Sequence, residues 1–202
     1  MDRKKFIITS SLAVFGLSTF GKVIRKDDQT FEGDCVTTND ILGPFYRPDS
    51  PRRSDLTYAG LEGIPINIMG QVFSSDCITP ISEAMIEIWH CNTAGEYDNS
   101  SEDFLQRGHL VTDSKGVYSF RTIIPGKYLN GALYRPAHIH YRVTADEHQE
   151  LISQMYFKGD PNIEEDPWAS QPKAEHRILP FIPSGVNGEL TVNFDLYLRA
   201  DS

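Results

Sequence analysis

The sequence predicts an all-β protein, an antiparallel β-sandwich with long active-site loops and an extended N-terminal arm. Three observations carry this. Short segments alternate apolar and polar residues with the two-residue period of strands; turn signals rich in Gly, Pro and Asp separate them; and no segment shows the periodicity of an amphipathic helix. The chain has 202 residues, 40% hydrophobic and 23% charged, which is enough apolar material for one core and too little length for two ordinary domains.

Residues 1–21 read as an export signal: Arg3-Lys4-Lys5 is basic, the stretch that follows is apolar, and Thr19 and Gly21 are small residues where a peptidase could cut. The basic start resembles a twin-arginine signal with lysine in the second arginine place. The protein is therefore expected in the periplasm or outside the cell. The apolar run is shorter than the roughly 20 residues of a membrane span, and no later segment matches that length, so no membrane is expected once the signal is removed. Residues 22–41 form a polar arm, and the domain proper runs from 42 to 202.

Within that domain Asp40 to Arg53 carries too many prolines for a helix or central strand and is expected to lie along the body as extended chain. Pro65 to Phe73 and Ala84 to Cys91 read as strands that pair with each other. Leu105 to Thr112 and Val117 to Thr122 flank the turn Asp113-Ser-Lys-Gly116 and read as a hairpin. A glycine-punctuated loop from Pro125 leads to a strand over Ala137–Thr144. Leu151–Phe157 follows, then a proline-rich acidic loop from Lys158 to Pro172. Gly188 to Arg199 reads as one final strand, with Leu190, Val192, Phe194, Leu196 and Leu198 on one face.

The formal charge of −9 argues against nucleic acid or an anionic membrane surface as partner, because phosphates demand a basic patch. Cys35, Cys77 and Cys91 lie in the exported part, where disulfides are permitted. Cys77 and Cys91 bracket one predicted strand, whose extended ends stand too far apart to bridge; Cys35–Cys77 is the preferred pair, with three buried free thiols as the alternative.

Chemistry concentrates in Arg135-Pro-Ala-His138-Ile-His140. Alternation along the strand projects His138 and His140 from one face while Ile139, Tyr141 and Val143 fill the other. Alone, such a pair is as compatible with exposed or core-edge histidines as with ligands. Tyr97 and Tyr128 each follow a glycine in a loop beside a strand end, where a rigid scaffold delivers side chains to a site. Two phenolates and two neutral imidazoles suit a ferric ion with one or two positions left for substrate; either tyrosine alone could equally be a half-buried loop aromatic.

Trp89-His-Cys-Asn-x-x-Gly-x-Tyr97, Arg107-Gly108, Thr112-Asp-x-x-Gly116-x-Tyr-x-Phe120, Pro125-Gly-x-Tyr128, the Arg135 to His140 motif and Leu151-Ile-Ser-Gln154-x-Tyr-Phe-x-Gly-Asp160 together resemble the intradiol ring-cleaving dioxygenases. The likeness extends to Gly43-Pro-Phe-Tyr46 of the arm, and is nearest to the β subunit of protocatechuate dioxygenase and its exported bacterial relatives. The resemblance implies a non-haem Fe(3+) held by Tyr97, Tyr128, His138 and His140, acting on a catecholic substrate and dioxygen. It implies cleavage between the two hydroxylated carbons to a cis,cis-muconate, with Tyr128 accepting a substrate proton. It also makes Arg135 the stabiliser of negative charge on the ring and Gln154 a pocket residue. His90, His109, His148 and His176 fall outside the motif and read as structural or surface histidines. The loop from Tyr128 to Arg135 is shorter than in the protocatechuate enzyme, with Leu129-Asn130 in place of a ring-packing aromatic. This leaves open which catechol is taken, and whether the chain assembles with itself or with a second subunit. A non-catalytic transthyretin-like or carbohydrate-binding sandwich is the alternative, and a zinc hydrolase lacks a suitably placed carboxylate.

Overall fold

A computed structural model describes residues 24–25, 31–32, 35–184 and 189–201; the expected export signal and part of the expected polar arm lie outside the described residues. β1 (Ile24–Arg25) and β2 (Phe31–Glu32) make a two-residue ribbon. Then come β3 (Pro65–Ser74), β4 (Met85–Trp89), β5 (Arg107–Val111) and β6 (Val117–Ile123). A small hairpin of β7 (Tyr128–Asn130) and β8 (Leu133–Arg135) precedes the long strands β9 (His138–Ala145) and β10 (His148–Phe157). A 3-10 turn at Pro172–Arg177 leads into β11 (Ile178–Leu179), β12 (Ile182–Ser184), β13 (Glu189–Asn193) and β14 (Leu196–Leu198).

Two sheets face each other. One runs β11-β10-β9-β4-β5; the other centres on β3, with β6 antiparallel along one edge and β13 and β14 parallel along the opposite one. Ile66, Ile68 and Val72 of β3, Phe120 of β6 and Val192 of β13 meet Ile86, Ile88, Ile139, Tyr141, Val143 and Met155 of the first sheet, all buried. Burying a side chain of this kind is worth about 1.5–3 kcal/mol, so this interface is the main source of the fold's stability.

Two expected pairings and one expected strand differ. β3 and β4 do not pair: they belong to opposite sheets, because each buries its own alternate face against the other across the core. The turn at Asp113–Gly116 forms, with the Asp113 N–H donating to the Val117 carbonyl at 3.0 Å and Gly116 at φ 75°. Yet its two strands part company, β5 joining β4 and β6 joining β3, so the turn crosses between sheets and is no hairpin. The final strand is interrupted. At Phe194–Asp195 the Gln71 N–H donates to the Asp195 side chain at 2.9 Å and the Tyr118 hydroxyl takes the Phe194 carbonyl at 2.6 Å, replacing ladder bonds while keeping the apolar face inward.

From Cys35 onward the arm is joined to the body. Cys35 is bridged to Cys77, the preferred pair, with Tyr197 packed on the bridge, and Cys91 is a buried free thiol. Thr37 donates to the Tyr197 carbonyl at 3.0 Å and Asp40 to the Ile152 carbonyl at 2.8 Å. Past the prolines, the Arg53 N–H donates to the His109 carbonyl at 3.1 Å and the His109 N–H to Pro51 at 3.0 Å, so the expected extended segment lies along the edge of β5. The arm thereby covers the outer face of the β9 sheet, the face that carries His138 and His140.

Candidate metal centre

Strand alternation decides this site. With Ile139, Tyr141 and Val143 fully buried in the core, His138 and His140 must point to the opposite face. Register then sets their neighbours: His140 lies between Trp89 and Gln154, and His138 beside Tyr156. The Trp89 indole stacks on the His140 ring with centroids 4.8 Å apart and 8° between planes, fixing the imidazole's orientation. Gly43 of the arm closes the other approach; a Cβ there would stand 3.1 Å from His140 Cε1.

Tyr97 comes from the loop after β4. Gly95, at φ 82°, sits so close to the chain at Lys127–Tyr128 that a side chain would overlap the Lys127 carbonyl, which draws the Tyr97 loop against the strand carrying Tyr128. Asp98 anchors the loop beyond. Burial works against its ionisation, but hydrogen bonds from Ser101, Leu105 and Ser100 outweigh it and hold its pKa at about 2. Phe45 of the arm stacks on Tyr97 at 4.2 Å and meets Tyr128 edge-on at 5.7 Å, shutting water from one side.

The four expected donors come together. Centroids are 5.7 Å apart for Tyr97 and Tyr128, 5.7 Å for Tyr128 and His138, 4.9 Å for His138 and His140, and 6.2 Å for His140 and Tyr97, closing a ring of four aromatic groups. The Tyr97 hydroxyl is 3.3 Å from His138 Nε2. His138 Nδ1 lies 2.7 Å from the Pro136 carbonyl, which can only accept, so that nitrogen carries the proton and Nε2 presents a lone pair to the centre. His140 Nδ1 is buried without a hydrogen-bond partner among the described residues.

The electrostatics of the site keep its imidazoles neutral and its phenol protonated. Burial, then the nearby Arg135, pushes the His138 pKa down to about 3; burial and the charges of His138 and Arg135 push His140 well below the ordinary imidazole value. Burial also lifts the Tyr97 phenol well above its ordinary value, with Cys91 and Tyr128 adding to it. Neutral imidazoles and a phenol that ionises only beside a strong cation fit a trivalent metal. Among the described residues no group of three or more His, Cys, Asp or Glu gathers to hold an ion, so a centre here must draw on phenol oxygens.

Arg135 lies across the small hairpin from Tyr128 and is buried. Its Nε donates to Asp166 Oδ2 at 2.8 Å, and Nη2 to Gln154 Oε1 at 2.9 Å and to the Tyr156 hydroxyl at 3.1 Å. Gln154, fully buried, also donates from Nε2 to the Ile41 carbonyl at 2.8 Å, so it supports Arg135 and the arm from behind. Asp166, Tyr156 and Phe45 escaped the sequence reading of the site. Phe45 had a signal in the Gly43-Pro-Phe-Tyr46 motif; Asp166, 31 residues from Arg135 in an acidic loop, had none.

His90, His109 and His148 are tied into the surrounding structure. His90 donates from Nδ1 to the Cys91 carbonyl at 2.8 Å and accepts at Nε2 from the Thr122 hydroxyl at 2.6 Å. Burial lowers its pKa to about 4. An unfolded histidine takes its proton near 6.5, so stability should fall as pH drops from about 6.5 to about 4, His90 contributing up to about 3 kcal/mol of the loss. Urea midpoints against pH should show a shallower decline in His90→Gln; parallel curves would contradict this assignment. His109 donates to the Ser50 carbonyl at 2.6 Å and His148 to Asp146 at 2.7 Å.

A family model described as dioxygenase matches residues 41–200. Chlorocatechol 1,2-dioxygenase of Rhodococcus opacus is 32% identical over 189 residues, covering 81% of this chain and 72% of the relative. Catechol 1,2-dioxygenase of Acinetobacter baylyi is 33% identical over 165 residues, covering 69% of this chain but only 52% of the relative, so the chain spans about half the length of that enzyme. Among solved structures, the dioxygenase domain of a dioxygenase and carbohydrate-binding fusion from Streptomyces sp. SirexAA-E superposes with a TM-score of 0.70 at 30% identity, covering 82% of this chain and 99% of that one. The fold is thus shared with a solved dioxygenase domain over 82% of this chain, and the family match runs from residue 41 to residue 200. The chain belongs to the intradiol ring-cleavage dioxygenases.

Proposed function

We propose that the protein is an iron(III) intradiol dioxygenase that opens catechol-type aromatics between their two hydroxylated carbons, inserting both atoms of dioxygen to give a cis,cis-muconate. The observation that carries this reading is the closed set of two phenols and two neutral imidazoles, with the Tyr97 hydroxyl 3.3 Å from the lone pair of His138 Nε2. Tyr97, Tyr128, His138 and His140 would hold the ion. Bound there, ferric iron supplies a Lewis acid that draws in both catechol oxygens and makes the ring reactive toward dioxygen.

The chain's own groups do the rest. Tyr128 takes one catechol proton at its phenol oxygen, and Arg135, paired with it across the hairpin, faces the hydroxyl that results. The Arg135 guanidinium stabilises negative charge as it develops on the ring, in a site where burial keeps water from screening it. Trp89 and Gly43 hold His140 in plane, and Phe45 keeps solvent off Tyr97. Export is part of the proposal and rests on the basic-apolar start of the sequence. No observation favours the non-catalytic sandwich.

The purified, iron-loaded protein should be wine-red, since tyrosinate bound to ferric iron absorbs visible light, and should consume oxygen with at least one of catechol, chlorocatechol, protocatechuate and hydroxyquinol. A colourless protein that stays inert after iron is supplied would defeat the proposal.

A further inference from the structure

Arg135 is held on three sides, and two of the residues that hold it, Asp166 and Trp168, have no role in the donor set. Asp166 grips one edge of the guanidinium, with Nε at 2.8 Å from Oδ2 and Nη2 at 3.4 Å from Oδ1. Both side chains of this ion pair are 2% exposed or less. The carboxylate is itself seated on its loop, Oδ1 accepting the backbone N–H groups of Trp168 at 3.0 Å and Ala169 at 2.7 Å. The Trp168 ring lies 4.4 Å from the guanidinium carbon and covers its face. Gln154 and Tyr156 take the remaining Nη2 contacts. One nitrogen, Nη1, is buried without a partner among the described residues. The groups that hold the guanidinium come from β10 and the Asp166 loop; on the side of the site Tyr128 hydrogen-bonds it across the small hairpin, and Tyr97 and His138 feel its charge. The unpaired N–H group is what is left for the site.

We propose that Asp166-Pro-Trp168 is a clamp that positions Arg135, its carboxylate fixing the guanidinium's edge and its indole fixing the face so that Nη1 is presented to substrate. A carboxylate that merely neutralised a buried charge could sit anywhere around the guanidinium. This one takes the Nε edge together with Nη2, the geometry that settles rotation about the side chain's last bonds. Asp166 and Trp168 are positioning residues; neither touches the four donors.

The inference rests on the proposed activity, so the test reads both. In the iron-loaded full chain, Asp166→Asn should lower kcat about 10- to 100-fold while the visible spectrum and the anaerobic dissociation constant for catechol change less than about threefold; Asp166→Glu should recover most of the loss. Trp168→Leu, which leaves the ion pair intact, should cost about three- to tenfold in kcat and serves if Asp166→Asn does not fold. A kcat within twofold of wild type in these variants, or colour, binding and turnover lost in parallel with no recovery in Asp166→Glu, overturns the clamp. A second measurement needs no turnover: hydrogen exchange of the Arg135 Nε–H in nitrogen-15-labelled full chain loaded with gallium(III). Slow exchange in wild type and Asp166→Glu, with fast exchange in Asp166→Asn, supports the clamp even if no catechol is opened and the proposed activity fails. Equal exchange in all three overturns it.

Discussion

On the proposed ligand set, replacing His138 with alanine should abolish iron binding and colour and lower ring-opening turnover by on the order of 10³-fold or more, while the fold survives. His138 is buried, its Nδ1 committed to the Pro136 carbonyl at 2.7 Å and its Nε2 directed at the Tyr97 hydroxyl. Without it the proposed centre keeps two phenols and one imidazole and loses one of its two neutral nitrogen donors, which weakens its hold on a ferric ion. The sandwich should tolerate the change, because His138 projects from the outer face of β9 and takes no part in the core between the sheets. His90→Ala supplies the contrast. It is an equally buried imidazole, but its removal orphans the buried Thr122 hydroxyl and should cost about 2–4 kcal/mol of stability with iron and colour retained. Metal analysis, visible absorption and thermal denaturation on the two variants check this. If His138→Ala binds iron stoichiometrically and turns over within tenfold of wild type, the proposed ligand set is wrong.

Removing the carboxylate of Asp40 should lower stability by about 3–5 kcal/mol. Asp40 Oδ2 lies 2.5 Å from Arg177 Nη1, with both side chains 1% exposed, and also accepts from the Tyr156 hydroxyl at 2.9 Å. In Asp40→Ala the Arg177 guanidinium stays buried with Thr38 at 3.0 Å and the Gln154 carbonyl at 2.8 Å, neither of them charged. An uncompensated buried cation is costly, and for a chain of this length the loss corresponds to a fall of roughly 10 °C or more in melting temperature. Removing both charges, as Asp40→Ala with Arg177→Leu, should recover part of it. A single-variant loss below about 1 kcal/mol by urea denaturation would show that the pair is not desolvated as described. The pair also ties the arm to β10 beside Gln154 and Tyr156, so Asp40→Ala should lower catechol turnover as well.

Part of the site was legible because its information is local. The two-residue period of β9 sends Ile139, Tyr141 and Val143 inward and His138 and His140 outward whatever the strand pairs with, and the outcome follows from backbone geometry alone. Gly95 and the loop start at Pro125-Gly126 likewise marked where Tyr97 and Tyr128 leave the scaffold. The reach of an extended strand between Cys77 and Cys91 argued against bridging those two, and the preferred Cys35–Cys77 pair is the one that forms. Pairing was a different matter. Alternation in β3 and β4 states that each has an apolar face, and it is silent on whether those faces lie side by side in one sheet or meet across two; the same ambiguity turned the Asp113–Gly116 turn into a crossing between sheets.

By itself, then, the amino-acid order determined an all-β chain, the inward and outward faces of its strands, and four donors of the right chemical type. Tertiary structure alone decided what surrounds them: Trp89 laid on His140, Phe45 on Tyr97, Asp166 and Trp168 around Arg135, and Asp40 against Arg177. Those partners lie up to 137 residues apart, as Asp40 and Arg177 do. No periodicity connects such positions; they are brought together only when burial of the apolar faces stacks the sheets and lays the arm and loops over the outer surface of β9, where an unpaired charge or an uncovered ring would be costly.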